Sequence, residues 1–214
     1  MAEIIETTVY QMEELSDDAK EKARDWYREG AFDHDWYWAV YADFERICEI
    51  LGIELASVPV RLHGGGTRRK PCIWFSGFAS QGDGACFEGD YSYARGCASA
   101  IRRYSPKDQE LHRIADALLA IQWSNFFQLS ARVSHRGRYY HEHSMDIGVE
   151  RDSHVYQAMT TTAEDEVAEA LRDLARWLYG KLEDEFDYLN SDEVVDEAIA
   201  ANGYSFTEDG ERFG

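Results

Sequence analysis

From Val167 to Phe186, apolar residues recur every three or four positions, through Leu171, Leu174, Leu178 and Leu182. That is the helical period, and a stripe this long needs a broad apolar surface to cover it. It predicts a helix over roughly Ala163 to Tyr188. A second stripe, Tyr37, Tyr41, Phe44, Cys48 and Leu51, predicts a helix from Asp35, stopped by Gly52. Between them the period shortens to β-branched and aromatic runs separated by glycine-rich turns. The chain therefore reads as helical ends around a strand-rich middle.

The remaining elements follow from local signals. Ile4–Met12 reads as a strand. Ser16 is a helix cap followed by Asp17 and Asp18, and Ala19, Ala23 and Trp26 share one face of a helix ending at Gly30. Ile53–Leu62 reads as a strand and His63–Lys70 as a flexible basic loop. Pro71 opens a strand through Phe78, and Ala85–Tyr93 returns. Asp83-Gly84 suits a hairpin turn with positive φ. Ala94–Tyr104 reads as a short helix. Ser105-Pro106 looks like the start of the next one, with Leu111, Ile114, Leu118 and Ile121 as its stripe to about Asn125. Gln128–His135 and Tyr140–Glu150 read as a hairpin turning at Arg136-Gly137-Arg138. A short helix, Asp192–Ala201, and an extended Tyr204-Ser205-Phe206 close the chain. The expected fold is a single α+β domain over residues 1–214, with helical ends 1–52 and 163–201 around a sheet-rich middle 53–162. An antiparallel or mixed sheet of about five to six strands, with helices mainly on one face, is the simplest packing.

At 44% hydrophobic and 14% aromatic, the chain can bury a core and is not of disordered composition. It has no apolar run of the ~18 residues that suggest a membrane span. Its first residues lack the basic and apolar regions of a signal peptide. Cys48, Cys72, Cys86 and Cys97 form no CxxC pair and no zinc spacing, so they read as reduced, buried thiols of a cytosolic chain.

The net charge of −19 is unevenly placed. Residues 1–50 hold 14 acids and 5 bases, and residues 163–198 hold 13 acids and 3 bases. Residues 51–162 hold 11 acids and 13 bases. Acidic ends repel duplex phosphates and attract a basic protein partner. Glu164, Asp165, Glu169 and Asp173 load the start of the long helix. Glu183, Asp184 and Asp187 load its end, against the helix dipole. Asp192, Glu193, Asp196 and Glu197 extend that array, which could imitate the phosphates of a duplex. Trp36 and Trp38 flank Tyr37 beside Asp33, His34 and Asp35, and both cannot face a core, so one is a candidate contact anchor.

Two further segments carry possible chemistry. Ser80, Gln81, Gly82, Asp83, Gly84, Cys86 and Glu88 lie in a dense glycine-rich block whose backbone N–H groups could cradle an anion, with Arg68-Arg69-Lys70 available to a phosphate. The block has no GK[ST] and is no dinucleotide fingerprint. His141 and His143 fall on one strand face, with His135 across the hairpin; Asp146 or Glu88 could complete a metal-assisted hydrolase. No complete catalytic set is present, and no cofactor is expected.

The sequence resembles a family of phage and prophage proteins. The resemblance rests on Val9-Tyr10, Glu13-Glu14-Leu15-Ser16 and Ala19–Arg24, then on FSGFASQGDGACFEG, Tyr104–Asp108, Gly137–Glu142 and Asn202–Gly210. Some members carry the label "antitoxin of toxin–antitoxin stability system". The resemblance implies a protein that binds and neutralises another protein, a toxin or a host defence protein. An anti-CRISPR or anti-restriction inhibitor with an acidic face is one form of that role. The alternatives are a metal- or cysteine-dependent hydrolase and a small nucleotide-binding sponge at the glycine-rich hairpin.

Overall fold

The expected long helix is present as α5 (Ala163–Asn190), and its buried side includes Val167, Leu171, Leu174, Leu178 and Leu182. A computed structural model describes residues 7–31 and 35–214; Ile4 to Glu6 of the first expected strand, and Asp33 and His34, lie outside the described residues. Contacts gather into two compact units, Ala39–Glu183 and Met1–Trp38 with Asp184–Gly214.

The first unit follows helix α2 (Trp38–Leu51), α1 belonging to the other unit. Gly52 ends α2 with φ of 86°, a conformation other residues adopt at a steric cost. The main sheet takes β1 (Ile53–Leu55), β6 (Gly89–Ser92), β7 (Leu129–His135) and β8 (Met145–Arg151) in that order, all antiparallel. Its period-two pattern separates the faces. Ile53, Tyr91, Leu129, Ala131, Val133, Met145 and Val149 are buried. Glu54, Asp90, Arg132, Asp146, Gly148 and Glu150 point to solvent from the other face. Helices α3 (Cys97–Tyr104) and α4 (Gln109–Ser124) pack on each other, and α4 reaches the buried face through Gln122. The expected α+β class is found, with a main sheet of four strands.

The other strands pair outside that sheet. β2 (Ser57–Arg61) pairs with β3 (Thr67–Pro71), and β4 (Ile73–Phe75) with β5 (Ala85–Phe87), each antiparallel. Both long strands expected here are broken. Residues 53–61 divide at Ala56 and 85–92 at Glu88, where Ala56 N–H donates to Glu88 O and Glu88 N–H to Cys72 O. Half of the expected basic loop is strand β3, because Arg68 to Lys70 pair with Val58 to Val60. The helix expected at Ser105-Pro106 starts later: Ser105 terminates α3, and Asp108 caps α4 by accepting from Leu111 N–H at 2.9 Å.

The second unit joins the chain ends. α1 (Asp17–Ala31) and α6 (Asp192–Ala201) bury Ala19, Ala23, Val195 and Ile199 with Met12, Leu15 and Phe206. Strands β9 (Ser205–Phe206) and β10 (Arg212–Phe213) form a short ladder, and Tyr10 pairs with Phe206. Met12–Glu14 is a 3-10 turn rather than the end of a strand. Arg24 holds Asp196 through two bonds at 2.8 and 2.7 Å, and Arg28 reaches Asp192 at 2.6 Å.

Candidate functional site

The sheet's exposed face is a shallow groove of about 670 Å³. Register places Glu54, Asp90, Arg132 and Gly148 in one row across it, and Ser92, Ser130 and Glu150 in the next. Glycine and serine leave the backbone accessible there. Arg132 pairs with Asp90 at 3.0 Å and Arg136 with Asp146 at 2.8 Å. Those two pairs leave out Glu54, Glu150 and Glu164, which also line the groove. The groove is therefore acidic.

Where this sheet meets the end of α4, the chain turns through Phe126 and Phe127, with φ of 58° and 60°. Two consecutive aromatic residues in the left-handed region cost about 1–2 kcal/mol each. Phe126 is 66% exposed and Trp123, on the last turn of α4, is 73% exposed. Trp123 and Phe127 meet edge to face at 5.7 Å, and Phe127 lies 4.4 Å from the Tyr93 ring at the end of β6. Along the chain the cluster adjoins residues of the groove: Tyr93 follows Ser92, and Phe127 is three residues before Ser130.

Two fully buried amides brace this turn. Gln122 Nε2 donates to Leu129 O at 2.8 Å, and Gln122 Oε1 accepts from Leu129 N–H at 3.2 Å. One side chain thus copies a strand's pair of backbone bonds. Asn125 Nδ2 donates to Ile121 O and Thr160 Oγ1, while its Oδ1 accepts from Thr160 N–H. Arg151 lies over the Phe126 ring at 5.4 Å and donates to Gln128 Oε1, Gln157 Oε1 and Ala158 O. It ties in the 153–158 segment, where Tyr156 has φ of 55° and is 98% exposed. Buried hydrogen bonds thus hold apolar side chains in water and in strain. Strain of this kind collects at functional sites.

The residues marked by sequence fall elsewhere. Trp38 is 69% exposed, whereas Trp36 packs on Phe186 at 5.8 Å. Glu164, Asp165, Glu183, Asp184 and Asp187 are exposed on α5. Glu169 and Asp173 are engaged by Arg176, and Asp173 also by Arg113 at 2.7 Å. Burial alone would raise the Asp173 carboxyl, but bonds from Arg113 and Arg176 outweigh it and hold it below the usual carboxylate range. With Asp192 and Asp196 held by Arg24 and Arg28, four members of the acidic array are paired internally with arginines that also serve Glu21, Asp25, Glu110 and Glu142.

The glycine-rich block forms the expected hairpin, but its interior has no anion cradle. Asp83 Oδ2 accepts from Ala79 N–H at 3.1 Å and Ser80 N–H at 2.7 Å, which takes the amides a phosphate would need. Positive φ belongs to Gly82, not Gly84. Gly84 is needed for close packing: an added Cβ there would lie 2.6 Å from His141 Cβ. Glu88 accepts from His135 N–H at 2.9 Å. Gln81 is exposed on the loop.

The histidines lie in a different arrangement from the one expected. Glu142–Ser144 is a 3-10 turn capped by His141, whose Nδ1 accepts from His143 N–H. β8 begins only at Met145. The His135 ring packs on Trp74 and Tyr140 at 5.6 and 5.2 Å. Among the described residues no three His, Cys, Asp or Glu side chains are grouped to hold a metal ion. All four cysteines are buried and unpaired. Burial pushes the Cys86 thiol up to about 11, which opposes a role as nucleophile at neutral pH. Thiol alkylation of the native protein at pH 7.0 (about neutral) should accordingly leave Cys86 unmodified, and denaturant should expose it; rapid native labelling at Cys86 by peptide mapping contradicts the burial.

The aromatic turn was not marked by sequence. Its signal is a tryptophan off the Leu111–Ile121 stripe, followed by two phenylalanines where a helix must end.

No helix among the described residues is long and apolar enough to cross a membrane. No curated protein and no solved structure matches the chain. Residues 36–192 match the family described as Domain of unknown function (DUF8835), a span of more than half the chain, and the protein belongs to that family.

Proposed function

We propose that this chain is a non-enzymatic protein-binding domain that neutralises a basic protein by covering it. The carrying observation is the braced turn of Trp123, Phe126 and Phe127. Phe127 packs on Tyr93 and helps to end α4, but most of the Trp123 and Phe126 rings faces solvent, and an external contact would cover them. Tryptophan and other large aromatics dominate interface energies when a surrounding rim excludes water. The acidic groove beside them supplies that rim and selects positive charge. The same charge opposes direct binding of duplex nucleic acid. The resemblance to phage proteins labelled as antitoxins supports neutralisation as the outcome, with a toxin or a host defence protein as the target.

Capture from bacterial lysate on immobilised protein tests this reading. A basic protein should be retained at about 0.05 M salt and weakened at about 0.5 M, where screening is stronger. It should also be lost on the Trp123→Ala/Phe126→Ala variant. Equal retention by the variant removes the turn from the interface, and retention insensitive to salt removes the acidic groove.

A further inference from the structure

Across α1 and the C-terminal hairpin lies a second aromatic arrangement, of a different kind. Trp26, Tyr27 and Tyr204 meet at steep angles: Trp26 and Tyr204 at 5.1 Å and 87°, Trp26 and Tyr27 at 6.4 Å and 67°. Tyr27 and Tyr204 close the third side at 6.4 Å and 54°. The rings line a concavity of about 570 Å³, with Glu29 on its wall. The rings also pack against the core of this unit, and Trp26 and Tyr204 each keep a face toward Arg212; such faces attract a weakly hydrated organic cation.

A cation already sits there. The Arg212 guanidinium carbon lies 4.9 Å from the Trp26 ring centre and 5.0 Å from that of Tyr204. Among the described residues, no ion pair engages Arg212, although the chain carries 41 acids and 22 Lys and Arg. Its position therefore reflects the rings. Arg212 is exposed and rides on β10, a two-residue strand whose ladder is only Arg212 opposite Phe206 and Phe213 opposite Ser205. So short a ladder opens at small cost.

We infer that Trp26, Tyr27 and Tyr204, with Glu29, form a binding site for an organic cation, a methylated lysine or arginine side chain, and that Arg212 is its tethered internal occupant. An external cation enters as Arg212 leaves. The competitor lowers apparent affinity by the fraction of time the site is open. The site stands in the unit that does not hold the Trp123 turn, so the two readings succeed or fail separately.

Calorimetric or NMR titration with N-acetyl-trimethyllysine amide, and with its uncharged carbon isostere, tests the inference. The cationic probe should bind Arg212→Ala roughly tenfold more tightly than the wild type, as expected if Arg212 fills the site about nine-tenths of the time. The neutral isostere should bind at least about tenfold more weakly than the cation, since ring faces discriminate by charge. Tyr204→Leu in the Arg212→Ala background should lose the gain, and a matching thermal transition shows that the fold persists. If that variant unfolds, Glu29→Gln in the same background should still weaken the cation relative to the isostere. Equal affinity of wild type and Arg212→Ala, or equal binding of charged and neutral probes, overturns the proposal.

Discussion

Replacing Trp123 and Phe126 together by alanine should weaken partner binding by about a hundredfold or more, with the fold intact. Each ring is mostly in solvent, so neither truncation opens a core cavity. Hot-spot aromatics typically contribute about 2 kcal/mol or more each, which is some thirtyfold per residue before non-additivity. Phe126→Gly separates binding from stability. It removes about 1–2 kcal/mol of left-handed backbone cost and adds about 0.5–1 kcal/mol of unfolded-chain freedom. Thermal stability should therefore hold or rise while affinity falls. If Phe126→Gly unfolds the protein, the ring is structural, and the interface reading loses its main support.

Gln122→Leu should be the costlier change for the fold. The side chain is fully buried and serves both backbone groups of Leu129. Leucine fills the volume but leaves a buried N–H and a buried C=O without those partners, at about 1–3 kcal/mol each. The Tyr91 hydroxyl loses its 3.3 Å bond from Gln122 as well. A stability loss of about 2–5 kcal/mol in denaturant titration is expected, with hydrogen exchange rising first around Leu129. A loss under about 0.5 kcal/mol, typical of inconsequential surface changes, means that water or neighbouring groups replace the amide.

Helices were the most readable part of the sequence. The α5 stripe and α6 carry their own periodicity, so local residues settle them. Strand division at Ala56 and Glu88 was not readable, because it depends on which distant backbone each half meets: Glu54 lies opposite Asp90, while Val58 lies opposite Lys70. The glycine block was noticed for its amides, yet Asp83 consumes two of them, and that fold-back is set by the loop's three-dimensional path. The acidic array was counted correctly as charge. Its internal ion pairing was hidden, since Arg24 and Asp196 are 172 positions apart. The aromatic turn left a faint local trace, but the buried amides that brace it reach Thr160 and Leu129, and the linear sequence does not place Thr160 beside Asn125.

The pairing of α1 with α6 also sets an order of events during synthesis. Helix α1 emerges from the ribosome well before Val195, Ile199 and Phe206, which help to bury Ala19 and Ala23. Domains fold as their chain becomes available, so residues 39–183 can compact while α1 still waits for its partner. Joining the ends then costs little more than closing a shorter loop, because the entropic cost grows only with the logarithm of loop length. A chain cut short before Val195 would leave the apolar side of α1 uncovered, and quality-control proteases would meet that side first.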